Sequence, residues 1–172
     1  MSATAGGRDE VDQIVAAWRH ERNDLDLAPV EIFSRISRVA RLLDLVRREA
    51  FSSSAVEPWE FDVLAALRRA GAPYSLTPGQ LLKQTLVTSG TMTNRVDGLE
   101  QRGLVRREPS PTDRRAVLVT LTVEGKKTVD VAFETLLERE QRLLTGLVKH
   151  DRESLINGLK KLLFLLDDRP SG

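Results

Sequence analysis

A chain of 172 residues with 41% hydrophobic and 30% charged residues lies in the ordinary globular range, long enough for one domain with a core. It has no cysteine, and its two histidines, His20 and His150, stand apart, which excludes disulfides, zinc–thiolate sites and a cysteine nucleophile and leaves no expected metal site, catalytic residue or cofactor. No apolar run approaches the ~20 residues that span a bilayer and the start MSATAGGRDE lacks signal-peptide order, so a cytoplasmic protein without membrane contact is expected, and a net charge of +1 leaves any case for DNA to charge distribution.

Residues 1–8 are small and polar and are expected to be disordered, like the tail 167–172. Val11, Ile14, Val15 and Trp18 fall at i, i+3, i+4, i+7 and predict a short first helix, broken over Asn23 to Leu27. A second helix starts near Ala28-Pro29 and carries Ile32, Phe33, Ile36, Val39, Ala40, Leu43 and Val46 towards Phe51. Pro58 opens a third helix that runs through Leu67 and stops at Gly71. Thr77-Pro78-Gly79-Gln80 supplies an N-cap, a proline at N1 and a capping glutamine at N3 for a short fourth helix. A turn at Val87 to Gly90, with Thr88 as N-cap, launches a fifth helix to about Gln101, ended by Gly103.

The period then changes. Leu104 to Glu108 and Ala116 to Thr122 are β-branched and alternating, with PSPTD between them, and predict a β-hairpin. After it, Val129, Ala132, Phe133, Leu136, Leu137, Leu143 and Leu147 mark a long amphipathic helix, and Leu155, Ile156, Leu159, Leu162, Leu163 and Leu166 a last one. The fold class is therefore mainly α: a winged helix-turn-helix with a β-hairpin wing, and N- and C-terminal helices forming a dimerisation region. The expected regions are 9–56 for dimerisation and a ligand pocket, 57–122 for DNA binding and 123–166 for dimerisation.

Short helix, turn, helix and two-stranded hairpin is the order in which a second helix enters the major groove and a hairpin touches the flanking backbone. With Met92 as zero on the fifth helix at ~100° per residue, Val96 and Leu99 lie beside it, while Gly90, Asn94, Asp97 and Gln101 lie opposite. The free face begins with small hydroxyl and amide residues suited to base edges or phosphates, at a helix N-terminus that itself favours phosphate. From Arg102 to Arg115, five arginines stand against Glu108 and Asp113, concentrating positive charge at the wing. A carboxylate one or two residues away, as Asp113 is from Arg114 and Arg115, orients a guanidinium before it enters a groove. The candidate DNA contacts are Thr88, Ser89, Gly90, Thr91, Thr93, Asn94, Arg107, Asp113, Arg114 and Arg115.

The stretch SGTMTNRVDGLEQRGLVRREPSPTDRRAVLVTLTVEGKK resembles the recognition helix, wing and start of the dimer helix of the MarR family, with that family's Asp-x-Arg element at Asp113 and Arg115. With EPWEFDVLAALRRAG and LTPGQLL before it, the resemblance runs from about Pro29 to the C-terminus. It implies a homodimer joined through its terminal helices, double-stranded DNA with a palindromic operator as partner, control by a small effector and a repressor's habit. The lack of cysteine excludes the family's redox sensing.

The additional first helix with Trp18 is similar to the urate-responsive, PecS-like branch, in which a tryptophan there, an aspartate in the third helix and an arginine in the recognition helix line a ligand pocket. The matching residues are Trp18, Asp62 and Arg95. Asp62 lies in a nearly all-apolar helix and needs a partner, for which Arg95, ~60° from Met92 on the wheel, is available. Such a pocket suits a flat or carboxylated organic anion. The rival readings are a core aromatic with a structural ion pair for these three residues, and a winged-helix protein-interaction adaptor for the whole chain. A hydrolase built on Ser89 finds no histidine to serve it.

Overall fold

The computed structural model describes residues 7–85, 89–110 and 116–168, and of Ser89 the backbone alone. In chain order its helices are α1 (Glu10–Glu21), α2 (Ala28–Ser52), α3 (Pro58–Arg69), α4 (Pro78–Thr85), α5 (Ser89–Gln101), α6 (Val123–Leu143) and α7 (Lys149–Asp167). The strands are β1 (Ser75–Leu76), β2 (Val105–Pro109) and β3 (Val117–Leu121), and a 3₁₀ turn, Leu144–Gly146, precedes α7. The chain separates into two compact units, one from its two ends, up to Glu31 and from Glu138, and one spanning Ile32–Leu137.

In the terminal unit, Asp9 starts α1 through reciprocal bonds, its backbone N–H donating to Asp12 Oδ2 at 2.8 Å and the Asp12 N–H donating to Asp9 Oδ1 at 3.0 Å. Val11 and Val15 are buried with Leu27, whereas Ile14 and Trp18 of the same stripe stay exposed. The long helix expected to reach Leu147 ends at Leu143. There the Thr145 hydroxyl bonds back to the Arg142 carbonyl, Gly146 weakens helix propensity, and Arg152 donates to the Leu144 and Leu147 carbonyls. No residue of α7 is buried, and Leu155, Ile156, Leu159, Leu163 and Leu166 form an exposed apolar row.

The second unit holds the main core. Phe51 at the end of α2 stacks on Phe61 of α3 with ring centroids 4.4 Å apart, and Val63, Leu64, Leu67, Leu81, Met92, Leu99 and Val119 are fully buried around them. The earlier apolar row of α2, Ile32, Phe33, Ile36 and Val39, is exposed. The expected box at the start of α4 is present: Thr77 N–H donates to Gln80 Oε1 at 2.8 Å and Gln80 N–H to Thr77 Oγ1 at 3.2 Å.

The hairpin is antiparallel, with Val105 opposite Leu121 and Arg107 opposite Val119. A third strand, not expected, completes the order β1-β3-β2. It is two residues long, too short for alternation to reveal, and is fixed by ladder pairing with β3 and a 2.8 Å hydroxyl bond between Ser75 and buried Thr120.

Candidate nucleic-acid interface

Helix α5 has the two faces its sequence predicts, except that Asp97, expected on the open face, is half-buried. Met92, Val96 and Leu99 are buried, each contributing about 1.5–3 kcal/mol of apolar burial, while Gly90, Thr91, Thr93, Asn94 and Gln101 are exposed. The helix stops where Gly103 turns to φ +68°, a conformation that favours glycine, and Leu104 N–H reaches back to the Leu99 carbonyl at 3.0 Å. Thr122 then fastens α6 to the same turn: its hydroxyl donates to the Gly103 carbonyl at 2.8 Å and accepts from Gly125 N–H at 2.9 Å. The carbonyl of Leu104 and the backbone of Gly125 meet so closely that a Cβ on Gly125 would stand 1.9 Å from that oxygen.

The arginines expected to charge the wing are paired wherever they are described. Arg102 is bound to Glu60, a buried carboxylate that also accepts the Glu57 N–H at 2.9 Å, and its other nitrogen donates to the Ala55 carbonyl at 2.8 Å. Arg106 meets Glu108 at 2.7 Å on one face of β2, and Arg106, followed by Thr120, holds that carboxyl below its usual range. Arg107, on the other face, joins Asp97 through Nη2 and Glu100 through Nη1, both on α5. Desolvation opposes its charge, yet the two carboxylates outweigh that and raise its pKa. At these three positions the carboxylates of α3, α5 and β2 thus stand against the positive charge of the segment. Thr88, Asp113, Arg114 and Arg115 lie outside the described residues, as does the Ser89 side chain.

Residues 56–116 match the sequence profile described as the MarR family. The chain is 39% identical over 146 residues to the transcriptional regulator PecS of Dickeya dadantii, covering 85% of this chain and 88% of that protein. The chain belongs to the MarR family. Apo MarR of Escherichia coli superposes on this member of the MarR family with a TM-score of 0.65 at 30% identity, covering 77% of this chain and 96% of that one. A mutant E. coli MarR solved with operator DNA gives 0.66 at 27% identity over 91% and 99%. The MarR-family chain is thus a transcription regulator with a DNA-binding winged helix.

Of the three residues matched to the ligand pocket of the PecS-like MarR branch, Asp62 and Arg95 have other partners than each other. Asp62 is bound at 2.7 Å to Arg47 of α2 and not to Arg95, and at 45% side-chain exposure it escapes the burial cost foreseen for it. Arg95 instead stacks over Trp59 of α3, 5.4 Å from the ring centroid, beside Gly98, whose added Cβ would touch that ring at 3.7 Å. Trp18 is half exposed in the terminal unit. Sequence reading missed Trp59 and Arg47; the i, i+3 spacing of Trp59 and Asp62 on α3 was the available signal. A cavity of about 160 Å³ between α3 and α6 is lined by Phe61, Ala65, Arg68, Arg69, Val129, Asp130 and Phe133, none of them a predicted ligand residue. Among the described residues no group of Asp, Glu or His is placed to hold a metal, and no helix is long and apolar enough to cross a membrane.

Proposed function

We propose that the chain acts in the cytoplasm as a homodimeric repressor that binds a palindromic operator and releases it when a small anionic or aromatic effector binds. The observation that carries this is α5: a buried apolar face beneath an exposed row of Gly90, Thr91, Thr93 and Asn94, followed directly by the hairpin. Side chains of that kind approach a groove floor and bond base edges or phosphates. Thr88, Ser89, Gly90, Thr91, Thr93 and Asn94 form the helix part of the contact, and Asp113, Arg114 and Arg115 the wing part.

Dimerisation through 9–56 and 123–166, with 57–122 left for DNA, accounts for the apolar rows of α7 and α2 that the single chain leaves exposed. Two α5 helices in one dimer would reach half-sites one turn of duplex apart. For the effector, Trp18, Asp62 and Arg95 remain the assigned residues: an arginine held among the described residues by a ring face alone is available to a carboxylate, and a flat anion competing for it would shift α5.

Selection from a random duplex pool tests the DNA reading. One palindrome with ~10 bp between half-site centres is expected; failure to enrich any sequence would favour the adaptor. Screening organic anions for release of the selected duplex tests the effector, and Arg95→Ala abolishes that release. A fully inducible Arg95→Ala protein would refute the assignment.

A further inference from the structure

We propose that Arg107 is a positioning residue of the DNA-binding surface: through Asp97 and Glu100 it locks wing strand β2 to recognition helix α5, so that helix and wing meet DNA as one body. The inference rests on the DNA-binding reading above and reassigns a residue first counted among the DNA contacts.

Strand alternation puts Arg107 on the same side as buried Val105, facing α5, and sends Arg106 and Glu108 to the other side. On α5, Asp97 and Glu100 are three residues apart and share a face, so they present two carboxylates one turn apart. The planar guanidinium spans them, one terminal nitrogen to each. A third bond comes from the main chain, Arg107 N–H donating to Glu100 Oε1 at 3.0 Å. Glu100 is thus held by both the backbone and the side chain of one strand residue, which fixes the strand's height along the helix as well as its distance. The Arg107 side chain is 32% exposed, so water screens the pair only in part.

The charge balance separates this role from a phosphate contact. One arginine and two carboxylates carry a net −1, beside the face proposed to meet phosphates. Electrostatically the carboxylates oppose DNA, and removing one would tighten binding. As parts of a clamp they support DNA binding, and removing one would weaken it. The two roles predict opposite signs for the same substitution.

The test uses the full-length protein and the duplex it selects from a random pool, with affinity measured over a series of salt concentrations. Asp97→Asn, nearly isosteric, is expected to weaken binding on the order of fivefold per protomer, as a lost half-exposed pair implies. Arg107→Gln weakens it at least as much with an unchanged slope of log K against log salt, Arg107→Lys restores part of the loss, and the double substitution is no worse than Arg107→Gln alone. Unchanged or tighter binding by Asp97→Asn, or a slope reduced by about 1 per protomer in Arg107→Gln, overturns the clamp. If the unaltered protein selects no sequence, the DNA-binding reading itself fails, a result separate from any ranking of the variants.

Discussion

Replacing Gly125 by alanine sets two known effects against each other, and the structure decides between them. In an unhindered helix, Gly→Ala stabilises by up to about 1 kcal/mol through helix propensity and a less flexible unfolded chain. Here the new methyl would lie 1.9 Å from the Leu104 oxygen, 2.9 Å from its carbon and 3.1 Å from Leu121 Cδ2, and real Cβ atoms essentially never come within 3.0 Å of another atom. The first two obstacles are backbone, so α6 and the Gly103–Leu104 turn must open by about 1.1 Å, taking the Thr122 bonds to Leu104 and Gly125 with them. Overpacking of this kind costs typically 1–3 kcal/mol, and each hydrogen bond lost adds about 1 kcal/mol. After the propensity gain, a net loss of about 2–4 kcal/mol remains, which for a chain of this size lowers the unfolding midpoint by roughly 4–16 °C. Thermal unfolding followed by circular dichroism measures it. A midpoint unchanged or raised in Gly125→Ala would show that α6 does not seat on the Leu104 carbonyl.

Two further outcomes are expected. Glu108 titrates below the usual 4.5 because Arg106, then Thr120, favour its charged form. Its contribution to stability is therefore complete above pH 4.5 and is lost as pH falls through the lower folded-state value; a carbon-detected NMR titration should place its midpoint below 4.5 and move it back towards that value in Arg106→Gln. Leu159→Asp with Leu163→Asp, on the exposed row of α7, should convert a dimer to monomers in sedimentation while leaving the helix content of the chain intact.

How far the sequence speaks for itself follows the range of the interactions involved. The faces of α5 were legible because Met92, Val96 and Leu99 repeat at helical spacing, and the start of α4 because Thr77 and Gln80 cap each other within four residues. Both are local. The pairing of Ser75 with Thr120 joins residues 45 apart, and a two-residue strand has no period to recognise. The partner of Asp62 was misread for the same reason: the helical wheel showed that Arg95 borders a packed face, but not that Trp59 occupies its reach and that Arg47 stands closer. The pairing of Arg107 was half legible, since period 2 groups it with Val105 rather than Arg106. What the strand faces, and that two carboxylates wait there, is set only when the hairpin folds back on α5.

These pairings change what the arginine-rich segment brings to DNA. Five arginines per protomer, if all met phosphates in a dimer, would give a salt slope of about −9 from this segment, at ~0.9 per phosphate. Arg102 is not available, because withdrawing it would take the cation from buried Glu60 and leave that carboxylate the Glu57 N–H alone among its described partners. Arg107 is held by two carboxylates and a main-chain bond. Arg106 is different: its pair with Glu108 is 53% and 43% exposed, the class of ion pair worth little in water, and an approaching phosphate exchanges for it readily. The expected contribution therefore lies between about −3.6, for Arg114 and Arg115 alone, and about −5.4 with Arg106 added. Replacing Arg114 and Arg115 by glutamine should lower the measured slope by about 3.6, and adding Arg106→Gln by at most about 1.8 more. If Arg107→Gln also lowered it by about 1.8, as a phosphate contact in each protomer would, the carboxylates of α5 would not be holding that side chain when DNA is bound.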